Sequence, residues 1–442
     1  MFRKLIFIIG LVLLVAISLQ SKSKAETTLN LKVAIDESIG QYPGLQRAKA
    51  AVDEADWKTV ESRSLFLPSL TGQVNYLTNK RYTLVDIQQG PDLVSIPQVV
   101  PTTIYTLSAR WNIFDGFSST YKWLAADQGQ QAAQDDLEWQ RFQLERQTIL
   151  AFYKWLAAKQ IYEVAQQNFS ALQDHLKDIE SSKNVGLATQ YDVLRTQVQV
   201  SEAQSELINS EDNIRAASDK MAELLGKDHE DRQVTGQLPV LPAQLVEKIE
   251  TVNLSQRKDL ESLSKKEQAG EYLHSSLNKH YIPKISLFAD YNYYNNKNDD
   301  YKDRNAYRES YLVGVSLTWN LFEGFGSLAR SEQSKAQALQ LSKTLEQARL
   351  KSKTDLSFWK RRFTYYSSLY KAKLIDIQRS TEAVRLAKAG RKAGTRTNTE
   401  TLDAQSDLNR SKAAQIHAQM GAIEALVNLE LATGEKIYNF EN

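Results

Sequence analysis

The chain has 442 residues with 55 basic against 53 acidic side chains and a net charge near +2, so no single sign dominates and a polyelectrolyte partner such as DNA is not implied. Eight Pro and 18 Gly give too little punctuation for an all-β protein of this size, so long helices must dominate. The absence of Cys excludes disulfides, thiolate metal sites, Cys nucleophiles and a Cys-anchored lipoprotein.

Met1 to Ala25 reads as basic Arg3 and Lys4, an apolar run from Leu5 to Leu19, and a polar end at Ser23-Lys24-Ala25. That order predicts a secretory signal cleaved after Ala25. A membrane anchor is the competing reading, but about 15 apolar residues fall short of the roughly 20 that cross a bilayer. Beyond the signal no apolar stretch approaches spanning length, so any membrane insertion must use strands.

Trp111-Asn112-Ile113-Phe114-Asp115-Gly116-Phe117 recurs as Trp319-Asn320-Leu321-Phe322-Glu323-Gly324-Phe325, an offset of 208 residues that also carries Gly186 onto Gly394 and Gly226 onto Gly434. Upstream, Leu67-Pro68-Ser69-Leu70 matches Ile282-Pro283-Lys284-Ile285 at an offset of 215. The constant register predicts two structural repeats, residues 26–234 and 235–442, that are halves of one architecture. Each has the order helix, strand, strand, long helix, turn, helix.

In the first strand pair Leu70, Val74 and Tyr76 alternate with Ser69, Thr71, Gln73 and Asn75. Tyr105, Leu107, Ala109, Trp111 and Ile113 alternate with Thr106, Ser108, Arg110 and Asn112. The second copy repeats this with Ile285, Leu287, Ala289, Tyr291 and Tyr293, then Tyr311, Val313, Val315, Leu317 and Trp319. One oily face on an antiparallel sheet suits either a soluble core or lipid, and runs of about 10 residues match a tilted membrane strand. The joining segments, Asn79 to Pro101 and Asn295 to Glu309, read as polar loops facing outside.

Helical periodicity follows each strand pair. Leu144, Thr148, Ala151, Trp155, Ala158, Tyr162, Ala165, Phe169, Leu172, Leu176 and Ile179 step alternately by four and three, and the rhythm resumes from Val193 to Leu224 and from Ala404 to Ala432. These are coiled-coil seams, and a helix from about Ser118 to Lys183 would extend roughly 100 Å at 1.5 Å per residue. Four strands per chain cannot close a membrane barrel, which needs at least about eight, and an open sheet leaves edges unsatisfied in lipid. Closure must come from other copies of the chain. The residues themselves do not fix how many.

Two amphipathic hairpins ending in W-N-[IL]-F-[DE]-G-F, each feeding a long helix that turns at V-G-L-A-T or A-G-T-R-T, resemble the TolC family of outer-membrane efflux proteins. The resemblance covers nearly the whole mature chain. It implies a mainly α fold with membrane β: a homotrimer whose 12-stranded outer-membrane β-barrel, four strands per chain, is continuous with a long α-helical barrel crossing the periplasm of a Gram-negative bacterium. It implies a passive exit duct, with no enzymatic activity and no cofactor, serving a tripartite efflux or type I secretion system. The partners implied are a periplasmic adaptor protein, an inner-membrane pump reached indirectly, and outer-membrane lipid. Because the chain stops at Asn442, the resemblance predicts a small equatorial belt.

Gly186 and Gly394 can supply left-handed helix stops, and Thr189 can cap the following helix. Turn chemistry alone explains those residues. The resemblance adds adaptor docking, through Gly186, Leu187, Thr189, Gly394, Thr395 and Thr397. Glu400 and Asp403 share a helix face by their spacing. The resemblance places them on the family's two-carboxylate entrance ring, with Asp192 and Arg396 on positions that hold the entrance closed. Tyr191 and Arg391 depart from the family's threonine and tyrosine there, so the closed-state contacts do not transfer intact.

Gly324-Phe325-Gly326-Ser327-Leu328-Ala329 has the form G-x-G-x-x-A, but a dinucleotide site needs a short βαβ unit and the helix that follows is far too long. The five His show no ligand spacing, and surface or seam positions account for them. No P-loop, G-x-S-x-G or H-E-x-x-H occurs. The competing reading from another class is a periplasmic coiled-coil scaffold or adaptor, against which the oily strand faces argue.

Overall fold

The structure, a computed structural model, describes residues 28–78, 82–242, 244–251, 257–295, 297 and 300–440. The signal-like segment therefore lies outside the described residues. Cα packing divides the chain into two units: one of residues 1–47, 139–257 and 351–442, the other of residues 48–138 and 258–350. Each unit draws on both of the expected repeats.

The second unit carries the sheet. Strands β2 (Ser69–Tyr76), β5 (Thr103–Phe114), β7 (Lys284–Asn295) and β8 (Tyr307–Thr318) form one antiparallel sheet in the order β2-β5-β7-β8. The period-2 pattern decides its faces. Leu70 lies opposite Ala109, Ala109 opposite Ala289 and Ala289 opposite Val313, so apolar side chains meet apolar ones across all four strands. The other face is polar. There Arg110 forms a bidentate pair with Asp290 at 2.7 and 3.0 Å, Thr106 donates to Asn292 at 2.8 Å and Ser286 to Asn112 at 2.7 Å. Among the described residues nothing covers the apolar face along β8, where Tyr311, Val313, Val315 and Leu317 are 65–83% exposed.

One expectation fails here. Within the segment read as a polar loop, residues 82–99 form a β-hairpin of β3 (Tyr82–Gln89) and β4 (Asp92–Val99), turning at Gly90 with φ +70°. Two strand-forming runs flank Gly90-Pro91, which is a turn signal. Pro97 within the second run argued against a strand, but this separate two-stranded sheet leaves an outer edge where proline is tolerated. The second joining segment is short, with a 3₁₀ turn at Arg304–Ala306 leading into β8.

The repeated W-N-x-F-[DE]-G-F motif has the same structure in both places. The Trp111 indole donates to the Phe66 carbonyl at 2.9 Å, and the Trp319 indole to the Tyr281 carbonyl at 3.0 Å; each acceptor stands two residues before a proline. Gly116 and Phe117, like Gly324 and Phe325, have φ between +58° and +71°, reversing the chain from strand into helix. The non-glycine strain at Phe117 and Phe325 is compensated by edge-on packing against Phe114 and Phe322, each with ring centroids 5.5 Å apart. The helices that follow are α3 (Ser118–Asn184) and α7 (Gly326–Lys392), 67 residues each, as the periodicity led one to expect for the first.

In this unit α2 (Pro43–Ser64) packs on α3, where Gln130 donates to Asp56 at 2.7 Å. Helix α6 (Lys258–Asn278) ties to α3 through Lys265 with Asp135 and Lys266 with Asp136, at 2.5 and 2.6 Å. It meets α7 where Gly270 leaves room for the Leu341 side chain and Ala338.

The other unit contains α1 (Leu31–Gln41), α4 (Gln190–Leu224), α5 (Gln244–Thr251) and α8 (Asn398–Thr433), with the remainders of α3 and α7. A two-residue parallel bridge joins β1 (Thr28–Leu29) to β6 (Gln233–Val234). Every seam residue named on α3 is buried or half-buried, and the same holds from Val193 to Leu224 at seam spacing. On α8 burial spreads around the helix, from Ala418 to Val427, and Gly421 admits the Tyr366 ring where a methyl group would clash. Buried Glu430 pairs with buried Arg146 and accepts from the backbone amides of Ile437 and Tyr438 at 2.7 and 2.8 Å, which pins the segment after α8. Among the described residues no helix is long and apolar enough to cross a membrane.

Candidate functional site

Both helical turns stop and restart in the same way. At the end of α3, Gly186 takes φ +79°, its amide donates to Lys183 O at 2.9 Å, and the Leu187 amide reaches back to Ser182 O at 2.8 Å. At the end of α7, Gly394 takes φ +72°, with the corresponding bonds to Arg391 O at 3.0 Å and from Thr395 to Gly390 O at 2.9 Å. These paired bonds satisfy carbonyls that a helix end leaves orphaned.

Restarting is handled by capping boxes. The Thr189 hydroxyl accepts from the Asp192 amide, while the Asp192 carboxylate accepts from the Thr189 amide at 3.0 Å. Thr397 and Glu400 repeat the pattern, Glu400 accepting from the Thr397 amide at 2.8 Å. These bonds hold both carboxyls below their ordinary range: for Asp192 the Thr189 hydroxyl leads, and for Glu400 the Thr397 amide, followed by the Arg396 guanidinium. Between stop and restart each turn exposes its middle, and Leu187 is 83% exposed.

The expected entrance residues are placed as follows. Arg396 pairs with Glu400 within its own turn, and Asp192 bonds within the other, so among the described residues the two do not pair with each other. Asp403 meets Arg195 of α4 at 3.9 Å. Tyr191 is exposed beside Asp192.

What joins the turns is a cluster that meets that set at Asp192. Asn398, the first residue of α8, donates to the Thr196 hydroxyl at 3.2 Å and to the Asp192 carbonyl at 3.4 Å. Its carboxamide oxygen meets His175 Nε2 at 2.8 Å, and His175 Nδ1 meets the Arg391 guanidinium at 3.0 Å. Burial pushes the His175 pKa down; Asn398 opposes that shift and Arg391 adds to it. Seam periodicity steps from Leu172 to Leu176 and passes over His175, so only its three-helix environment exposes the role.

Among the described residues no group of acidic and histidine side chains could hold a metal ion. The profile of outer membrane efflux proteins matches residues 34–227 and 252–435, most of the chain in two passages. The chain belongs to the outer membrane efflux protein family. This is a family of efflux channels and not of enzymes, and membership places the chain in the outer membrane, extending into the periplasm. It is 22% identical over 430 residues to outer membrane protein TolC of Vibrio cholerae, covering 96% of this chain and 94% of that protein. Its fold is similar to that of VceC from Vibrio cholerae, with a TM-score of 0.78 at 14% identity over 92% of this chain and 97% of the other. It is also similar to the outer-membrane channel OprN, at 0.77 and 17% identity over 92% and 90%.

Proposed function

We propose that this protein is the passive exit duct of a tripartite efflux or type I secretion system. In this reading residues 1–25 direct export and residues 26–234 and 235–442 are two repeats of one unit. Three copies close a 12-stranded barrel in the outer membrane above a periplasmic helical tube. The observation that carries it is the four-stranded sheet, whose aligned apolar face is exposed among the described residues and whose polar face carries hydrogen-bonded side chains suited to a water-filled lumen. Lipid is the partner that such a face fits.

The tips serve docking in this proposal. Leu187, Thr189, Thr395 and Thr397, held by the Gly186 and Gly394 stops, would receive a periplasmic adaptor protein, which in turn joins the inner-membrane pump. Glu400 and Asp403, with Tyr191, Asp192 and Arg396 beside them, would line the periplasmic entrance. The duct adds no chemistry of its own, so the pump selects the cargo. The test is extraction of the native protein from outer membranes in mild detergent: a heat-modifiable trimer is expected on gel electrophoresis. A monomer recovered from the soluble periplasmic fraction would sink the reading.

A further inference from the structure

At the sheet end remote from α6 and α7, Tyr105 of β5, Tyr293 of β7 and Tyr307 of β8 gather on the apolar face. Tyr293 and Tyr307 stack with ring centroids 4.6 Å apart, and Tyr105 stands 6.3 and 6.1 Å from them. The segment joining β7 to β8 brings a fourth ring, Tyr301, and two cations, Lys302 and Arg304, to the same cleft of about 570 Å³. That segment is fixed by its own bonds: the Tyr307 hydroxyl donates to the Tyr301 carbonyl at 3.1 Å, and buried Asn295 donates to the Asp300 carbonyl at 3.0 Å. The nearby carboxylates are engaged locally, Asp300 accepting from the Lys302 amide at 2.9 Å, Asp303 from the Asn305 amide at 3.1 Å and Glu309 from the Tyr291 hydroxyl at 2.8 Å. Among the described residues neither Lys302 nor Arg304 has a carboxylate partner, and both are exposed; the Lys302 ammonium lies 5.6 Å from the Tyr301 ring centre.

We propose that this cleft holds the phosphorylated sugar headgroup of an outer-leaflet glycolipid, with Lys302 and Arg304 on its phosphate and the tyrosine rings against its sugar. This rests on the duct reading, which sets the apolar face against lipid, and adds a specific lipid site to it. The level of the cleft selects the occupant. β8 has 12 residues. At about 3.3 Å per residue and a tilt of about 40°, the run from Tyr307 to Trp319 rises about 30 Å, close to the separation of the aromatic girdles that flank a barrel's apolar band. The tyrosines then stand at the lipid boundary and the two cations just beyond it, at headgroup depth. Since the helices at the other end of the sheet enter the periplasm, this boundary is the outer one. Charge fits as well: Arg304 can meet a phosphate with a planar fork and Lys302 with a point charge. The rings offer flat apolar surface to the C–H face of a sugar, and the cleft is far larger than a lone phosphate requires. Through the offset of 208 residues, Val94, Ile96 and Val99 stand in the first repeat where Lys302, Arg304 and Tyr307 stand in the second, so one site per chain is expected.

The test uses the full-length protein extracted from outer membranes, placed in nanodiscs of phosphatidylethanolamine and titrated with lipid A, a bisphosphorylated glucosamine disaccharide lipid. Native mass spectrometry after release from the disc counts the lipids retained. One lipid A per chain is expected on the unaltered protein, and Lys302→Gln with Arg304→Gln should lower retention at least several-fold. Lys297→Gln, in the same joining segment but outside the cleft, should leave retention unchanged. Lipid A stripped of its phosphates should be held as weakly by the unaltered protein as lipid A is by the double variant. Tyr293→Leu should weaken retention of lipid A but not of phosphatidic acid, which carries a phosphate and no sugar. Heat-modifiable mobility of each variant checks that it is assembled. In an assembled protein, four results overturn the glycolipid site and leave the duct standing: no retention, equal retention by the double variant, equal loss with Lys297→Gln, or displacement of lipid A by inorganic phosphate at the same concentration. Equal weakening of both lipids by Tyr293→Leu overturns the sugar contact. A chain that enters no nanodisc and is recovered as a soluble monomer overturns both the site and the duct.

Discussion

At the scale of single residues, the junction of the two tips depends on which form His175 takes. Its Nε2–H donates to the Asn398 carboxamide and its Nδ1 accepts from the Arg391 guanidinium, an arrangement that only the neutral ring satisfies. A proton on Nδ1 would set N–H against N–H, with Arg391 and Lys388 of α7 repelling the new charge and Asp178 on α3 only partly offsetting them. The folded pKa lies below the ordinary 6.5, so the unfolded junction binds the proton first. The stabilisation is complete above pH about 6.5 and is lost as pH falls through the folded value. Hydrogen exchange of the first amides of α8, corrected for intrinsic rates, should therefore accelerate between pH 7.5 and 5. His175→Gln should flatten that response, and an equal acceleration in both proteins would remove His175 as its cause. Another residue-scale contact holds the end of the chain. Glu430→Gln removes one of the two carboxylates that answer buried Arg146, leaving Glu145 at 2.6 Å, and unfolding measurements should show a loss of about 1–3 kcal/mol. A change below about 1 kcal/mol would mean that the segment after α8 is held by the packing of its Phe440 on Tyr153 instead.

At the scale of elements, what could be read in advance followed from periodicity. A period of two assigned each strand residue to a face, and the alignment of Leu70, Ala109, Ala289 and Val313 on one side agrees with that assignment. The long α3 and the glycine-stop, threonine-cap turns were equally legible, because each rests on local backbone rules. The hairpin at 82–99 was not, since Gly90-Pro91 and Pro97 punctuate it as a loop. His175 and Asn398 were hidden for a different reason: their bonds span more than two hundred residues, which no local pattern records. The facing of the strands has a direct test. Val315→Arg would place a charge against lipid and cost about 2–4 kcal/mol near mid-membrane, whereas Ser316→Arg would face water in the lumen. Folded protein in outer-membrane fractions should fall for the first and hold for the second. Equal yields would mean that neither face meets lipid.

At the scale of the whole molecule, the proposed threefold symmetry would multiply whatever lines the proposed entrance, and the side-chain geometry ranks the two carboxylates there. Glu400 is committed to its own turn, accepting from the Thr397 amide and pairing with Arg396, so much of its charge is already answered locally. The Asp403 side chain is 67% exposed, with Arg195 at 3.9 Å as its ion-pair partner among the described residues. Three converged Asp403 side chains would repel one another and attract cations, and a trivalent cation can answer all three at once. In planar-bilayer recordings such a cation should block current at far lower concentration than a monovalent one. Asp403→Ala should relieve most of that block and weaken cation preference with little effect on assembly, because the group is solvated. Glu400→Ala should relieve less of the block but raise baseline conductance, since it removes one half of the capping box and frees Arg396. Were the block to persist unchanged in the double variant, the two carboxylates would lie away from the constriction, as ordinary charges on the first two turns of α8.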